Sequence, residues 1–125
     1  MNQEWTAVVC PDGKIQALRT ALLEDAERLV SALGTGHHEQ LDALARQLLA
    51  TAQRQFQAEE QRLRGARAPS LERHSMEHER FLADLGAMLS LAARGDTRGV
   101  AALKPDRWIP DWLAAHARTD RDLLA

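Results

Sequence analysis

Three pairs of residues with metal-binding side-chain types recur at a spacing of four positions. The pairs are Gln55 and Glu59, His74 and His78, and His116 and Asp120. Residues four positions apart lie on one face of an α-helix, so each pair can present both side chains to the same neighbour. Imidazole and carboxylate groups without a thiolate are typical ligands of iron, zinc or manganese. The pattern therefore predicts a metal site, provided that the helices bring the pairs together.

Gly and Pro residues divide the chain into long segments in which apolar residues recur every three or four positions, as in amphipathic helices. We predict an amino-terminal arm over 1–13, followed by helices over 14–33, 38–64, 70–94 and 108–124. The region 97–107 contains Gly99 and Pro105 and is predicted to be irregular, with Pro110 in the first turn of the last helix. Four helices with short connections predict an all-α fold, a single up-down-up-down four-helix bundle over 1–125.

The composition agrees with this fold and excludes several classes of function. Of the 125 residues, 45% are hydrophobic and 27% are charged, with a formal net charge of -2, so one soluble globular domain is expected. There is no basic excess that would bind nucleic acid or an anionic membrane surface. The single cysteine, Cys10, cannot form an intrachain disulfide. Because the sequence shows neither a secretory leader nor a long apolar run, we expect a complete cytoplasmic protein.

The antiparallel order of the helices places the paired residues at one level. Glu59 lies near the end of the second predicted helix, His74 and His78 near the start of the third, and His116 and Asp120 near the end of the fourth. Buried imidazoles and carboxylates gathered at one level need partners or a cation to offset their desolvation. Ligands that face inward from the helices of a bundle are typical of iron carboxylate proteins. Iron is therefore the expected metal, with zinc and manganese as alternatives.

Three segments resemble the hemerythrin-like family, including its HHE cation-binding branch. They are QFQAEE at 55–60, HSMEH at 74–78 and WLAAHARTD at 112–120. They match the family patterns H-F-x-x-E-E, H-x-x-x-H and W-L-x-x-H followed by an acid, in the same order and on the same helices. The resemblance implies that His74, His78 and His116 bind one iron, with Glu59 and Asp120 as carboxylates that bridge to a second.

The chain departs from the family pattern in a way that favours one ion over two, with a di-iron centre as the alternative. The second iron of the family needs one histidine on the first helix and one on the second. Gln55 stands at the second-helix position, and the first histidine of the chain is His37. On the first helix, one alignment places Ala26 at the ligand position. If Gln55 is instead paired with the residue equally far on the other side of the turn near residue 36, the ligand position falls at Leu18 or its neighbours. Gln55 is interpreted as a core amide that hydrogen-bonds a metal ligand rather than as a ligand itself.

Several other polar and aromatic residues have simpler interpretations. Glu60 is expected on the solvated side of its helix. Asp25 lies close to the apolar stripe of the first helix and could be a replacement carboxylate, but with Glu24 and Glu27 nearby a solvated acidic face is expected. Trp108 and Trp112 are expected to pack in the core.

Three functions are compatible with these patterns. The first is a metal-binding protein that holds one iron and binds or senses a small molecule such as oxygen or nitric oxide. The alternative is a metal-free bundle that acts as a protein-interaction or regulatory module, for example as a homodimer through an exposed helix face. The third is a small redox or peroxidase-like enzyme that uses the same ion.

Overall fold

The fold is known from a computed structural model that describes the backbone of residues 13–123 and the side chains of residues 13–116. Its helices are α1 (Gly13–Gly34), α2 (Leu41–Gly65), α3 (Leu71–Ala93), α4 (Thr97–Ala102) and α5 (Pro105–Leu123), with a 3-10 turn at His38–Gln40 before α2. These residues contain no strand, as expected for an all-α fold. The predicted arm over 1–13 lies outside the described residues except for Gly13. Among the described helices, none has an apolar stretch that could span a bilayer.

The ends of α1, α2 and α3 share one type of turn, in which a residue with positive φ reverses the chain. The positive-φ residues are Gly36 (φ 80°), Arg67 (φ 53°) and Gly95 (φ 73°). In each turn the next amide donates to the carbonyl five residues earlier, for example from His37 to Ala32 at 2.9 Å. This hydrogen bond satisfies a carbonyl that the helix end would otherwise leave unpaired. The turns keep the connections short, so consecutive long helices pack side by side.

The prediction of an irregular region over 97–107, with a last helix from 108, is wrong. Residues Thr97–Ala102 form a short helix, capped by the Asp96 side chain, which accepts a hydrogen bond from the Gly99 amide at 2.8 Å. The chain then turns at Lys104 (φ 53°), and α5 begins at Pro105. A proline is favoured at a first helical position because its missing N–H is not needed there. Pro110 therefore lies inside α5 rather than in its first turn.

The long helices alternate in direction and enclose two apolar clusters. The larger cluster includes Leu22, Leu29, Leu48, Phe56, Phe81, Leu85, Met88, Ile109 and Leu113. A smaller cluster is built on Ile15 and Leu63, with Leu71 packed against it. Between the two clusters lies a layer of buried polar side chains, which we call the polar layer: Arg19, Gln55, Glu59, His74, His78 and His116. Apolar packing above and below therefore closes this layer to water.

One buried hydrogen bond joins α1 to α2 within the larger core. The Thr51 hydroxyl donates to a carboxylate oxygen of Asp25 at 2.6 Å, and Arg28 donates to the other oxygen at 2.9 Å. Asp25 is 4% exposed, so the interpretation of Asp25 as part of a solvated face is wrong. Its carboxylate is turned inward because Thr51 offers a donor within the core.

We predict that Thr51→Val lowers the free energy of unfolding by about 1–3 kcal/mol, because it leaves a buried carboxylate short of one hydrogen bond. Denaturant titration of the metal-free protein measures the change. Thr20→Val is the matched control, since the Thr20 hydroxyl is exposed and donates only to the carbonyl of Gln16. We expect the control to change stability by less than about 0.5 kcal/mol. Equal losses in the two variants would show that the Asp25 contact contributes nothing beyond the substitution itself.

Candidate metal centre

One carboxylate oxygen lies at the centre of the polar layer. Oε1 of Glu59 is 3.1 Å from Nε2 of His74, 3.0 Å from Nε2 of His78 and 2.8 Å from Nε2 of His116. The ligand atoms of these four residues all lie within 4.8 Å of one another. None of the four residues is more than 3% exposed. Three imidazole nitrogens and one carboxylate oxygen therefore converge on a single small volume.

The spacing along each helix places these side chains on one face and at one level. Glu59 follows Phe56 on the buried face of α2, and the two histidines of α3 are four residues apart, so they point the same way. His116 lies three residues after the buried Leu113 on α5. Since neighbouring helices are antiparallel, the end of α2, the start of α3 and the end of α5 meet at the same height.

A second carboxylate orients one of the imidazoles. Oε2 of Glu60 is 3.0 Å from Nδ1 of His78, and Oε1 of Glu60 accepts a hydrogen bond from the Ser75 hydroxyl. A carboxylate accepts hydrogen bonds only, so Nδ1 of His78 carries a proton. In a neutral imidazole the lone pair is then on Nε2, which faces Glu59. Two acceptor atoms 3.0 Å apart repel each other unless a proton or a cation lies between them.

Aromatic rings of the larger core stack on two of the imidazole rings. Phe56 stacks on His78 with a centroid distance of 3.9 Å and an interplanar angle of 5°. Trp112 stacks on His116 at 4.4 Å and 17°. Trp112 also packs against Phe81 at 4.2 Å. The rings restrict rotation of the imidazoles, so the convergence of the nitrogens is built into the fold.

The other carboxylate oxygen of Glu59 has different partners. Oε2 accepts a hydrogen bond from Nε2 of Gln55 at 2.7 Å and lies 3.9 Å from Nε of Arg19 on α1. Both partners are buried, with exposed fractions of 0% for Gln55 and 2% for Arg19. The two oxygens of Glu59 therefore face two chemically distinct sides, imidazoles on one and an amide with a guanidinium on the other.

The surroundings keep both carboxylates ionised. Burial alone would raise the pKa of Glu59, but attraction to His116 and hydrogen bonding with the three imidazoles hold it well below its usual value. Partial burial likewise opposes ionisation of Glu60, whereas hydrogen bonds with Ser75 and His78 lower its pKa. An ionised, fully buried Glu59 requires positive charge nearby.

Four distances between the ligand atoms lie near those expected around a transition metal, and all pairs in the group lie within 4.8 Å. Donor atoms at bonds of ~2.1 Å are ~3.0 Å apart as octahedral neighbours and ~3.4 Å apart in a tetrahedron. The Oε1–Nε2 distances of 2.8 Å, 3.0 Å and 3.1 Å lie near the octahedral value. The distance between Nε2 of His78 and Nε2 of His116 is 3.2 Å, between the two values. Small adjustments would therefore direct the four donors at one ion.

Of the six site residues predicted from the sequence, five meet in the polar layer. Gln55 donates its hydrogen bond to Glu59, the contact expected for an amide that supports a ligand. The sixth, Asp120, lies on α5, but its side chain is outside the described residues. Asp25 is not a member of the cluster.

Two residues of the site were missed by the sequence analysis. Glu60 faces Ser75 and His78 rather than lying on a fully solvated face, and its position directly after Glu59 could have suggested a role. Arg19 is the residue of α1 that reaches Glu59, so of the two alignments considered, the one that points to the neighbours of Leu18 agrees with the structure. Ala26 instead lies within the larger apolar cluster. The signal for Arg19 was its place between Ile15 and Leu22 on the apolar face of α1.

We predict that Glu60→Gln destabilises the metal-free protein by about 1 kcal/mol at pH 7, through weaker hydrogen bonds to Ser75 and His78. Because the pKa of Glu60 is lowered in the folded state, its carboxylate stabilises the fold above the usual value of 4.5. That contribution is lost as the pH falls through the lowered value. The stability difference between wild type and Glu60→Gln should therefore shrink on acidification below pH 4.5.

Denaturant titrations at several pH values measure this difference, with Glu79→Gln at an exposed position of α3 as the control. A difference for Glu60→Gln that is independent of pH, or no larger than that of the control, would contradict the assignment.

Comparison with known proteins agrees with the site geometry. No curated protein and no solved structure matches the chain significantly. The sequence profile of the hemerythrin HHE cation-binding domain, however, matches residues 16–125, which include every helix that contributes to the polar layer. The buried cluster of one glutamate and three histidines is a group that could hold a cation. The chain therefore belongs to the hemerythrin HHE cation-binding domain family.

Proposed function

We propose that the protein holds one iron ion in the polar layer and binds or senses a small molecule such as oxygen or nitric oxide. The proposed ligands are Glu59, His74, His78, His116 and Asp120. The observation that carries the proposal is the convergence of three Nε2 atoms and one carboxylate oxygen within 4.8 Å in a buried layer. Asp120 joins the set because it lies one helical turn beyond His116 on α5.

The donor set supports iron as the resident metal. Three imidazoles and carboxylate oxygen, without thiolate, suit iron, and they also suit zinc and manganese. An iron ion with up to five protein ligands keeps at least one coordination position for a small exogenous molecule. Membership of a cation-binding family supports the same assignment.

The protein residues supply charge, orientation and the exclusion of water. Glu59 offsets part of the charge of a divalent ion through Oε1. Glu60 holds the proton of His78 on Nδ1, which leaves the Nε2 lone pair available to the metal. Phe56 and Trp112 cover the imidazoles from the core side. Since the four clustered residues are at most 3% exposed, the site favours small molecules over larger substrates.

Metal content per chain tests the proposal directly. After anaerobic loading with Fe(II) and removal of excess metal, we expect about one iron per wild-type chain by elemental analysis. His74→Ala should lose most of it, because it removes one of three imidazoles. The matched control is His38→Ala, which removes an exposed histidine outside the cluster and should retain the metal.

The other outcomes of this experiment separate the hypotheses. A wild-type chain that takes up no metal, and whose melting temperature is the same with and without chelator, would contradict the proposal and favour a metal-free interaction module. Loss of iron in the His38→Ala control would show that the metal binds elsewhere.

The role of Asp120 has its own test. We expect Asp120→Asn to weaken metal binding by more than about tenfold, since a neutral amide replaces an anionic ligand. Competition with a chromophoric chelator measures the affinity. Asp106→Asn, at an exposed position near the start of the same helix, is the control. Equal affinities in the two variants would exclude Asp120 from the ligand set.

A further inference from the structure

On the side of Glu59 that faces away from the imidazoles lies a buried cationic side chain, Arg19. Arg19 is 2% exposed, which is rare for arginine unless the guanidinium is paired. Its Nε lies 3.9 Å from Oε2 of Glu59, a distance that corresponds to an ion pair rather than a hydrogen bond. The guanidinium is a cation. A positive charge of the protein therefore lies beside the outer oxygen of Glu59.

Gln55 completes this side of the carboxylate. Its amide donates to Oε2 at 2.7 Å, and its own oxygen has no hydrogen-bond partner among the described residues. Neither Arg19 nor Gln55 offers an imidazole or a carboxylate. Among the described residues, the one group of three or more His, Cys, Asp or Glu side chains that could hold a metal is gathered around Oε1.

We infer that Arg19 takes the place of a second metal ion on Oε2 of Glu59 and so limits the centre to a single ion. The inference rests on the proposed function and extends it by naming the residue that sets the number of metals. A second cation at Oε2 would meet the guanidinium charge in a buried layer, where like-charge repulsion is strong. Gln55 offers a second cation only a neutral amide oxygen.

The same arrangement makes Arg19 a positioning residue for the first ion. With Oε2 paired to Arg19 and hydrogen-bonded to Gln55, only Oε1 is directed at the imidazoles. Glu59 then binds the metal through one oxygen. The guanidinium also repels the first ion at longer range, so it lowers the affinity for that metal while it stabilises the metal-free state.

Substitutions at Arg19 and Gln55 distinguish the effect of the side chain's charge on metal binding from the effect of its shape. Arg19→Lys keeps the charge, Arg19→Met removes it at similar length, and Gln55→His adds an imidazole while Arg19 stays in place. The double variant Arg19→His with Gln55→His supplies nitrogen ligands on both helices next to Oε2. Zn²⁺ is the probe, since it is redox-inactive, and the readouts are ions per chain, Kd by chelator competition, and the melting temperature of the metal-free protein.

We expect one zinc per chain for wild type, Arg19→Lys and Gln55→His, and two for the double variant. Arg19→Met should bind the first ion at least about tenfold more tightly than wild type, and its metal-free form should melt at a lower temperature. Arg19→Lys should bind with nearly wild-type affinity. Far-UV circular dichroism of each metal-free variant establishes that it is folded.

The inference is overturned if Arg19→Met, folded, binds zinc no more tightly than wild type, or if the folded double variant still holds one ion. Two ions in Gln55→His with Arg19 present would also overturn it. These results leave the proposed function intact, because wild type still binds its metal. Absence of zinc from wild type and every variant contradicts the proposed function itself.

Discussion

The rest of the polar layer depends on the interactions of the Glu59 carboxylate. This carboxylate is buried and ionised, and each of its oxygens needs positive charge or a donor. Oε1 meets Nε2 atoms from α3 and α5, and Oε2 meets Gln55 and Arg19. One side chain therefore ties four helices together at one height. The fold can bury so polar a layer only because each charged group lies within a few ångströms of a group of opposite charge or a hydrogen-bond donor.

The apolar clusters fix the positions of the side chains in the polar layer. The larger core positions Phe56 and Trp112, which stack on two of the imidazoles. The smaller cluster of Ile15 and Leu63 closes the other side. A rigid, dry environment strengthens electrostatic interactions and limits the motion of the ligands. Packing around one carboxylate thus determines the orientation of the imidazoles and the charges that surround them.

Much of this arrangement could be predicted from the sequence, because helical spacing determines both face and level. The four-residue spacing of His74 and His78, with antiparallel order, sufficed to bring them to Glu59. Spacing places Arg19 on the apolar face of α1 but does not identify its partner, since an arginine side chain usually reaches solvent from a helix and Glu59 lies 40 positions away in the chain. The start of α5 was missed because Lys104 adopts a left-handed conformation that lysine does not favour locally.

The most direct test of a single metal centred on Glu59 is a crystal structure of the iron-loaded protein with anomalous scattering recorded at the iron edge. We expect one anomalous peak, bonded to Oε1 of Glu59, to Nε2 of the three histidines and to Asp120, with Arg19 still beside Oε2. The absence of a peak in the polar layer, or a second peak between Oε2 and α1, would contradict this structure of the site.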